Sequence, residues 1–587
     1  MRNIKRWEAI TAFLFSWKCK NEVEKQMKLR SQEVRRKSPE ADPLWIGKGC
    51  SFEDLSKPQI LVETTFGDSH PGSMHLDKVA DIVKSGLYAS GMRPSVYTVT
   101  DICDGVATGH EGMNYSLVSR ELIAGMTEIH ARTSGYDGII CSSSCDKAVP
   151  GHLMAIARLD IPAIHIPGGS MMAGPAFISA DTAYEADMHV STGEMSMDEQ
   201  IYIKRNACPG CGACQYMGTA STMQCMSEAL GMALPGAALA PAESNFMLSL
   251  ARNAADCMKV LIDKDIKPSE ILTKEAFINA IRVHAAIGGS TNAVLHLPAV
   301  ADELGIEIKL EDFNRYTKGI PLLTSIMTSG KWPTQYFWYA GGIPRIMKEL
   351  ANKGFINTNL LTVTGKTIGE NLDILEKSGF FRRSEEYMHN MGLASHDIIK
   401  SFDDPCSQDS GITILKGNLA EQGAVIKHCA VDRSMYHFVG RARVFDNEEA
   451  AEEAIYGGSI VPGDIVVIRY VGKKAAGMPE MLKATDAILN KGDIAMKTAL
   501  LTDGRFSGAS RGPCVGYLLP EAAEGGMIAY LKDGDIIEID VDKKAVNVIG
   551  FNNKKHSPQE VDAEFISRKA SMSVKQFKHK GVLKFLD

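Results

Sequence analysis

Between about residues 58 and 370, short apolar runs alternate with helix-spaced patterns, and this alternation constrains the fold more than any other feature of the chain. Pro58-Gln59-Ile60-Leu61-Val62-Glu63 reads as a strand. From His75 to Ser85, Leu76, Val79, Ile82 and Val83 fall on one face of a helix. Tyr136 to Cys141 reads as a short buried strand, and Ile161 to Ile166 as another. Strands alternating with helices predict an α/β domain with a largely parallel sheet covered on both faces. Its active loops belong at the carboxyl ends of the strands. Ser144-Cys145-Asp146-Lys147 follows one strand and Pro167-Gly168-Gly169-Ser170 another, as that rule requires.

The pattern breaks near residues 375–410, where Glu385, Glu386, His389, Asn390, Asp403, Asp404 and Pro405 cluster. Beyond it strand signals dominate: Gly411 to Leu415, Asp464 to Ile468 and Asp535 to Asp540. The last two are introduced by the turn signals Pro462-Gly463 and Lys532-Asp533-Gly534. A chain of 587 residues is too long for one core. The expected division is an appendage at 1–28 (Met27 being a second plausible start), an α/β domain at 29–380, a linker at 381–400 and a β-rich domain at 401–587.

A net charge of −7 without a long basic run argues against nucleic acid as a partner. No apolar stretch is long enough to span a bilayer. The patch Ala12-Phe13-Leu14-Phe15 is too short for a signal peptide, and no small-residue cleavage site follows it. Thirteen cysteines, several beside Gly or Asp, suit free or metal-bound thiols in a reducing, cytoplasmic compartment.

Cys145, Asp146 and Lys147 place a soft thiolate beside a hard carboxylate. Thiolate suits iron–sulfur, carboxylate suits magnesium; the plain alternative is a buried cysteine beside a surface ion pair. Cys208, Cys211 and Cys214 form a C-x2-C-x2-C run without the fourth cysteine of a ferredoxin loop or the second ligand pair of a zinc site. Met223, Met226, Leu230 and Ala233 predict a helix over Thr222 to Leu234 whose stripe packs a core. In Gly288-Gly289-Ser290-Thr291-Asn292, a Ser, Thr or Asn is placed to cap the next helix, whose free N–H groups can hold a carboxylate. His296 on that helix reads as a packed histidine. Gly477-Met478-Pro479-Glu480 and Thr502 to Gly508 are tight loops, the second presenting a glycine-flanked Ser507.

Together these segments resemble the family of dihydroxy-acid dehydratase, 6-phosphogluconate dehydratase and the aldonic acid dehydratases, from about Leu29 to the end. The motifs that carry the resemblance are Asp104-Gly105 with Gly109 to Met113, Ser119-Arg120-Glu121, Cys145-Asp146-Lys147, Gly212-Ala213-Cys214 through Ala220, Ala286 to Asn292, and Thr502 to Gly508. The resemblance implies a second domain that is barrel-like, and a homodimer or homotetramer. It implies Cys145 and Cys214 as ligands of an iron–sulfur cluster, and Asp104, Asp146 and Glu480 as Mg²⁺ ligands. Lys147 matches the lysine carbamylated in this family, and Ser507 the serine that abstracts the proton. One departure stands out. Many members place a third cluster cysteine in Cys-Asn-x-His-Leu, where this chain has Gly72-Ser73-Met74-His75-Leu76. That favours [4Fe–4S] over [2Fe–2S], with Cys103 as the substitute ligand and Cys208 and Cys211 as rivals.

The reaction implied is loss of water from a small 2,3-dihydroxy carboxylate to give a 2-keto acid. Met327 to Trp332, Tyr339 to Gly342 and Leu29 to Glu33 resemble the sugar-acid branch. Asp104 to Arg120 and Thr502 to Gly508 resemble the branched-chain amino-acid or phosphogluconate branches. The expectation is an aldonate; the alternative is 2,3-dihydroxy-isovalerate. A non-catalytic iron–sulfur sensor has no need of Ser507, Glu480 or Lys147.

Overall fold

The structure, a computed structural model, describes residues 29–586 apart from Thr192 and Ala509. The expected appendage before Leu29 lies outside the described residues. Among the described residues, no helix is long and apolar enough to cross a membrane.

The first sheet contains β1 (Gln59–Thr64), β2 (Arg93–Thr98), β3 (Gly138–Ser143) and β4 (Ala163–Pro167) in the order β2-β1-β3-β4, every pair parallel. Leu61 lies opposite Ile139, and Ile139 opposite Ala163. The sheet is buried on both faces, which is why β1 and β3 read as continuous apolar runs. Helix Leu76–Ala89 lays Leu76, Val79 and Val83 on it, extending one turn beyond the spacing signal. Between this sheet and the second domain, the stretch 381–400 runs through helices Phe380–Asn390 and Ser395–Ile398.

The second domain is a closed barrel. Its strands are β5 (Thr413–Gly417), β6 (Ala420–Ile426), β7 (His437–Phe445), β8 (Asp464–Ile468), β10 (Ala499–Thr502), β12 (Cys514–Leu519), β13 (Ile536–Asp540) and β14 (Ala545–Phe551). They run β13-β7-β8-β10-β12-β6-β5-β14, and β14 pairs back onto β13 to close the ring; β15 (Lys554–Lys555) extends β14. Closure removes the unpaired edges an open sheet leaves. On β8, Ile465 and Val467 point into the barrel, while Val466 and Ile468 meet Ile455, Ala484 and Ile488 of helices Glu448–Tyr456 and Lys483–Asn490. Outside the ring lies a short parallel pair, β9 (Glu480–Met481) and β11 (Arg505–Phe506).

Two expectations are corrected. The helix read over Thr222 to Leu234 is Thr219–Ala229. It stops because Gly231 takes φ +82° and the Glu228 carboxylate accepts the Gly236 and Ala238 N–H groups, turning the chain back. Asn292 does occupy the N-cap of helix Ala293–Asp302, but its side chain caps nothing there. It is engaged in the site instead.

Candidate functional site

A cavity of about 330 Å³ lies between the carboxyl ends of the parallel strands and the barrel. Cys103, Asp104, Cys145, Asp146, Cys214, Glu480 and Ser507 all line it. These seven candidates and the rival Cys208 are therefore brought to one place; Lys147 stands behind the wall, fully buried, and Cys211 does not line it.

Three strand ends deliver the first domain's share. Cys103 and Asp104 follow β2, and Cys145 to Lys147 follow β3. Cys214 is held by the loop after β4: Ala213 N–H donates to Gly169 O at 2.9 Å and Met171 N–H to Ala213 O at 2.9 Å, continuing the sheet beyond its last strand. The thiols gather closely enough to perturb one another. Burial pushes Cys145 and Cys214 well above the ordinary thiol range, and Cys103 and Asp146 add to the effect on both. Burial also pushes Cys103 up, to about 11. Thiolates here require a cation.

The barrel domain supplies the rest. Pairing of β9 with β11 sets Glu480 beside Arg505, with Ser507 two residues on. The loop carrying Ser507 packs tightly on the first domain: a Cβ on Gly508 would lie 2.4 Å from Gly218 Cα, so only glycine fits. Thr328 Oγ1 donates to Gly508 O at 3.0 Å across the same seam.

Oxygens of Asp104, Asp146 and Glu480 lie within 4.8 Å of one another. Lys147 Nζ donates to Asp104 Oδ2 at 2.6 Å and to Glu480 Oε1 at 3.5 Å, and approaches Asp146 Oδ2 at 3.9 Å. Around this core stand groups the sequence reading passed over. Arg505 Nη1 donates to Glu480 Oε1 at 2.7 Å and its Nε to Met478 O at 2.6 Å. Asn292 Nδ2 donates to Glu480 Oε1 at 2.6 Å, and the Tyr517 hydroxyl donates to Asn292 Oδ1. Ser116 Oγ donates to Asp104 Oδ2 at 2.7 Å. Arg505 was visible only as the centre of Asp503-Gly504-Arg505-Phe506; no local pattern marks it as the fixed cation of this cluster.

The two aspartates are driven apart. Burial opposes ionisation of Asp104, but Lys147, Arg505 and Ser116 outweigh it and hold the carboxyl below its ordinary range. Burial pushes Asp146 up to about 7, and the charges of Asp104 and Glu480 reinforce it. Asp104 Oδ1 is buried without a hydrogen-bond partner. An oxygen-only triad with an orphaned carboxylate oxygen fits a hard divalent cation. Neighbouring thiols in the same cavity fit a soft one. A second group that can hold a metal, His70, Asp101 and Cys145, shares Cys145 with the cavity wall, with His70 Nδ1 3.8 Å from its sulfur. Gly72 abuts the same sulfur: a Cβ there would sit 2.3 Å from Cys145 Sγ.

Of the rival cysteines, Cys208 is exposed yet lines the cavity, while Cys211 Sγ turns to Glu243 Oε1 at 3.6 Å. His296 is packed in the interior as expected, accepting from Arg120 Nη1 at 3.1 Å through Nδ1.

A parallel α/β sheet and a closed barrel together enclose thiols, a carboxylate triad and a lysine, an arrangement that suits a metal-dependent enzyme. Residues 57–371 match the family model described as dihydroxy-acid/6-phosphogluconate dehydratase N-terminal, and residues 397–584 its C-terminal counterpart. The chain belongs to this dehydratase family and is a hydro-lyase. It is 44% identical to the dihydroxy-acid dehydratase of Caldanaerobacter subterraneus over 89% of this chain and 92% of that protein. The Pyrococcus furiosus dihydroxy-acid dehydratase is 44% identical over 88% and 92%, and that of Acetivibrio thermocellus 43% over 89% and 92%.

Proposed function

We propose that this chain dehydrates a branched 2,3-dihydroxy carboxylate, 2,3-dihydroxy-isovalerate, to the corresponding 2-keto acid in branched-chain amino-acid synthesis. The observation that carries the reading is near full-length similarity to proteins named as dihydroxy-acid dehydratases. It displaces the aldonate expectation. The cavity wall supports it: Val106, Met171, Ala180, Ala183 and Leu482 offer an aliphatic tail apolar surface. A site for a polyhydroxy chain needs a hydrogen-bonding partner for each hydroxyl, because unpaired polar groups in a closed site are costly.

In this reading Asp104, Asp146 and Glu480 hold Mg²⁺, with Lys147 as a carbamate facing them. Cys145 and Cys214 hold an iron–sulfur cluster, [4Fe–4S] since residue 72 is glycine. Cys103 is the third ligand, being the cysteine that perturbs both of the others. When bound, the two groups supply Lewis acidity to the substrate's carboxylate and hydroxyls. The chain's own part is to orient and to move protons. Arg505 and Asn292 fix Glu480. Ser507 takes the C2 proton, the C3 hydroxyl departs with its bonding pair, and the enol tautomerises to the keto acid. The domains supply different parts, so closure at the Gly218–Gly508 seam completes the site. The same reading carries a cytoplasmic homodimer or homotetramer with the four-part division at 1–28, 29–380, 381–400 and 401–587.

The test is a side-by-side assay of anaerobically purified enzyme on 2,3-dihydroxy-isovalerate and on a pentonate and a hexonate, scored by 2-keto acid formed. Turnover of the branched acid at the greater kcat/KM is expected; preference for either aldonate overturns the reading.

A further inference from the structure

Lys427 follows β6 and is buried, and its Nζ has no hydrogen-bond partner among the described residues. An amine withdrawn from water and left unpaired is unfavourable, and such a group persists where it has something to do. It lines a second, smaller cavity of about 20 Å³ together with Ser290, Thr291, Ser507 and Ser510. Ser507 and Gly508 border this space and the larger cavity alike, so the serine stands between the two. The small space is large enough for one water molecule, and its hydroxyl lining is polar enough to keep one.

We infer that Lys427 is the acceptor of the Ser507 hydroxyl proton, acting across the small cavity that the two residues line. The inference rests on the reading of Ser507 as the group that takes the C2 proton. A serine hydroxyl is a poor base until its own proton has gone.

The charge state of the amine agrees with the role. Burial pushes it below the ordinary lysine range, and only a thiolate at Cys429 would oppose that. The titratable groups around it leave it without a counter-ion. Burial drives His284 down to about 4, so the imidazole is neutral, and drives Cys514 up to about 12, with Asp486 adding to that shift. Burial likewise raises Cys429, which stays a neutral thiol.

The protons balance. The neutral amine takes the Ser507 Oγ proton, directly or through the water, and becomes an ammonium. The alkoxide takes the C2 proton and is again a hydroxyl. The C2–H electron pair forms the C2–C3 double bond as the C3–O bond breaks, its pair leaving with oxygen as hydroxide. The ammonium returns its proton through the same path, giving water and restoring the amine. Lys427 acts on the reaction only through Ser507.

The test uses anaerobically purified Lys427→Met, Lys427→Arg and Ser507→Ala enzyme, with iron and sulfide per chain, melting temperature, and kcat and KM for 2,3-dihydroxy-isovalerate from pH 6 to 10. Methionine fills the same space without an unpaired amine, so K427M is expected to hold its cluster and to melt no lower than the parent. Its kcat should fall about a hundredfold or more, with KM nearly unchanged and the acidic limb of the kcat profile gone. K427R should stay inactive, because a guanidinium does not release its proton. Parent-like kcat and pH profile in K427M, loss of folding there, or restored activity in K427R each overturn the inference. The control separates it from the reading beneath it: a fully active S507A enzyme refutes the serine's role itself, whereas an inactive S507A beside an active K427M refutes only the lysine's.

Discussion

Lys147 Nζ lies 2.6 Å from Asp104 Oδ2, and both residues are buried. Before carbamylation and without Mg²⁺, Lys147 is an ammonium that balances part of the charge of three carboxylates; among the described residues, the only other buried cation in contact with them is Arg505 on Glu480. Replacing it by methionine leaves buried charge uncompensated, a loss of about 3–5 kcal/mol. Lys147→Met should therefore unfold at lower denaturant in Mg²⁺-free buffer. Equal midpoints for the two proteins without Mg²⁺ contradict this account of the cluster.

Asn292 is the joint between the domains at this cluster, donating to Glu480 at 2.6 Å and to Thr219 at 2.7 Å while accepting from Tyr517. Removing a group that orients a metal-binding carboxylate typically costs about 10–100-fold in affinity or activity. Asn292→Ala should weaken Mg²⁺ binding, followed by calorimetry, by that factor while the far-ultraviolet spectrum stays unchanged. Unaltered affinity removes Asn292 from the site.

These two residues mark the limit of what the sequence discloses. The parallel sheet was legible because period and strand length are local properties, and β8 appears at the predicted residues Asp464 to Ile468. Cys145, Asp146 and Lys147 were legible because a loop after a buried strand is where such folds place chemistry. Asn292 read as a helix cap because capping is the commonest local use of that residue in that place. Its real partners are 73 and 188 residues away in the chain, a distance no spacing rule covers. Lys427 has no signal at all, and Arg505 has only its place in the stretch Thr502 to Gly508, since a buried cation announces its role only through the carboxylates or cavities that tertiary packing brings to it.

Glu228 couples stability to pH. Burial pushes its carboxyl up to about 7, against the Gly236 and Ala238 N–H groups that favour the ion. Between the ordinary glutamate value of 4.5 and about 7, the folded chain holds one proton that the unfolded chain has released. Folding stability from this group is therefore full below the lower value and is lost as pH rises through the window, by about 3 kcal/mol in all. Urea midpoints across pH 5–7 should fall less steeply in Glu228→Gln than in the parent; parallel slopes exclude the coupling.

Gly72 leaves room for the Cys145 sulfur, which a methyl group would meet at 2.3 Å. Gly72→Ala has to displace that thiol or the backbone beside it. Iron and sulfide per chain in anaerobic protein should drop well below the parent's, with the barrel and sheet intact by circular dichroism. Full cluster content in the variant shows that Cys145 has space to yield, and takes away the reason for glycine at this position.

The third thiol can be decided by comparing three cysteines. Cys103 lines the cavity and raises both Cys145 and Cys214, so it is near both. Cys208 lines the cavity and acts on Cys214 but is not among the groups with the largest effect on Cys145, and Cys211 is drawn off to Glu243 at 3.6 Å. A ligand must reach the same inorganic core as its partners, which favours the thiol close to both. Cys103→Ser should lose most of its visible absorption and iron, whereas Cys208→Ser and Cys211→Ser should keep theirs. The reverse pattern moves the cluster toward the C-x2-C-x2-C loop and away from the strand ends, because only one of the two loops can complete a set that already contains Cys145 and Cys214.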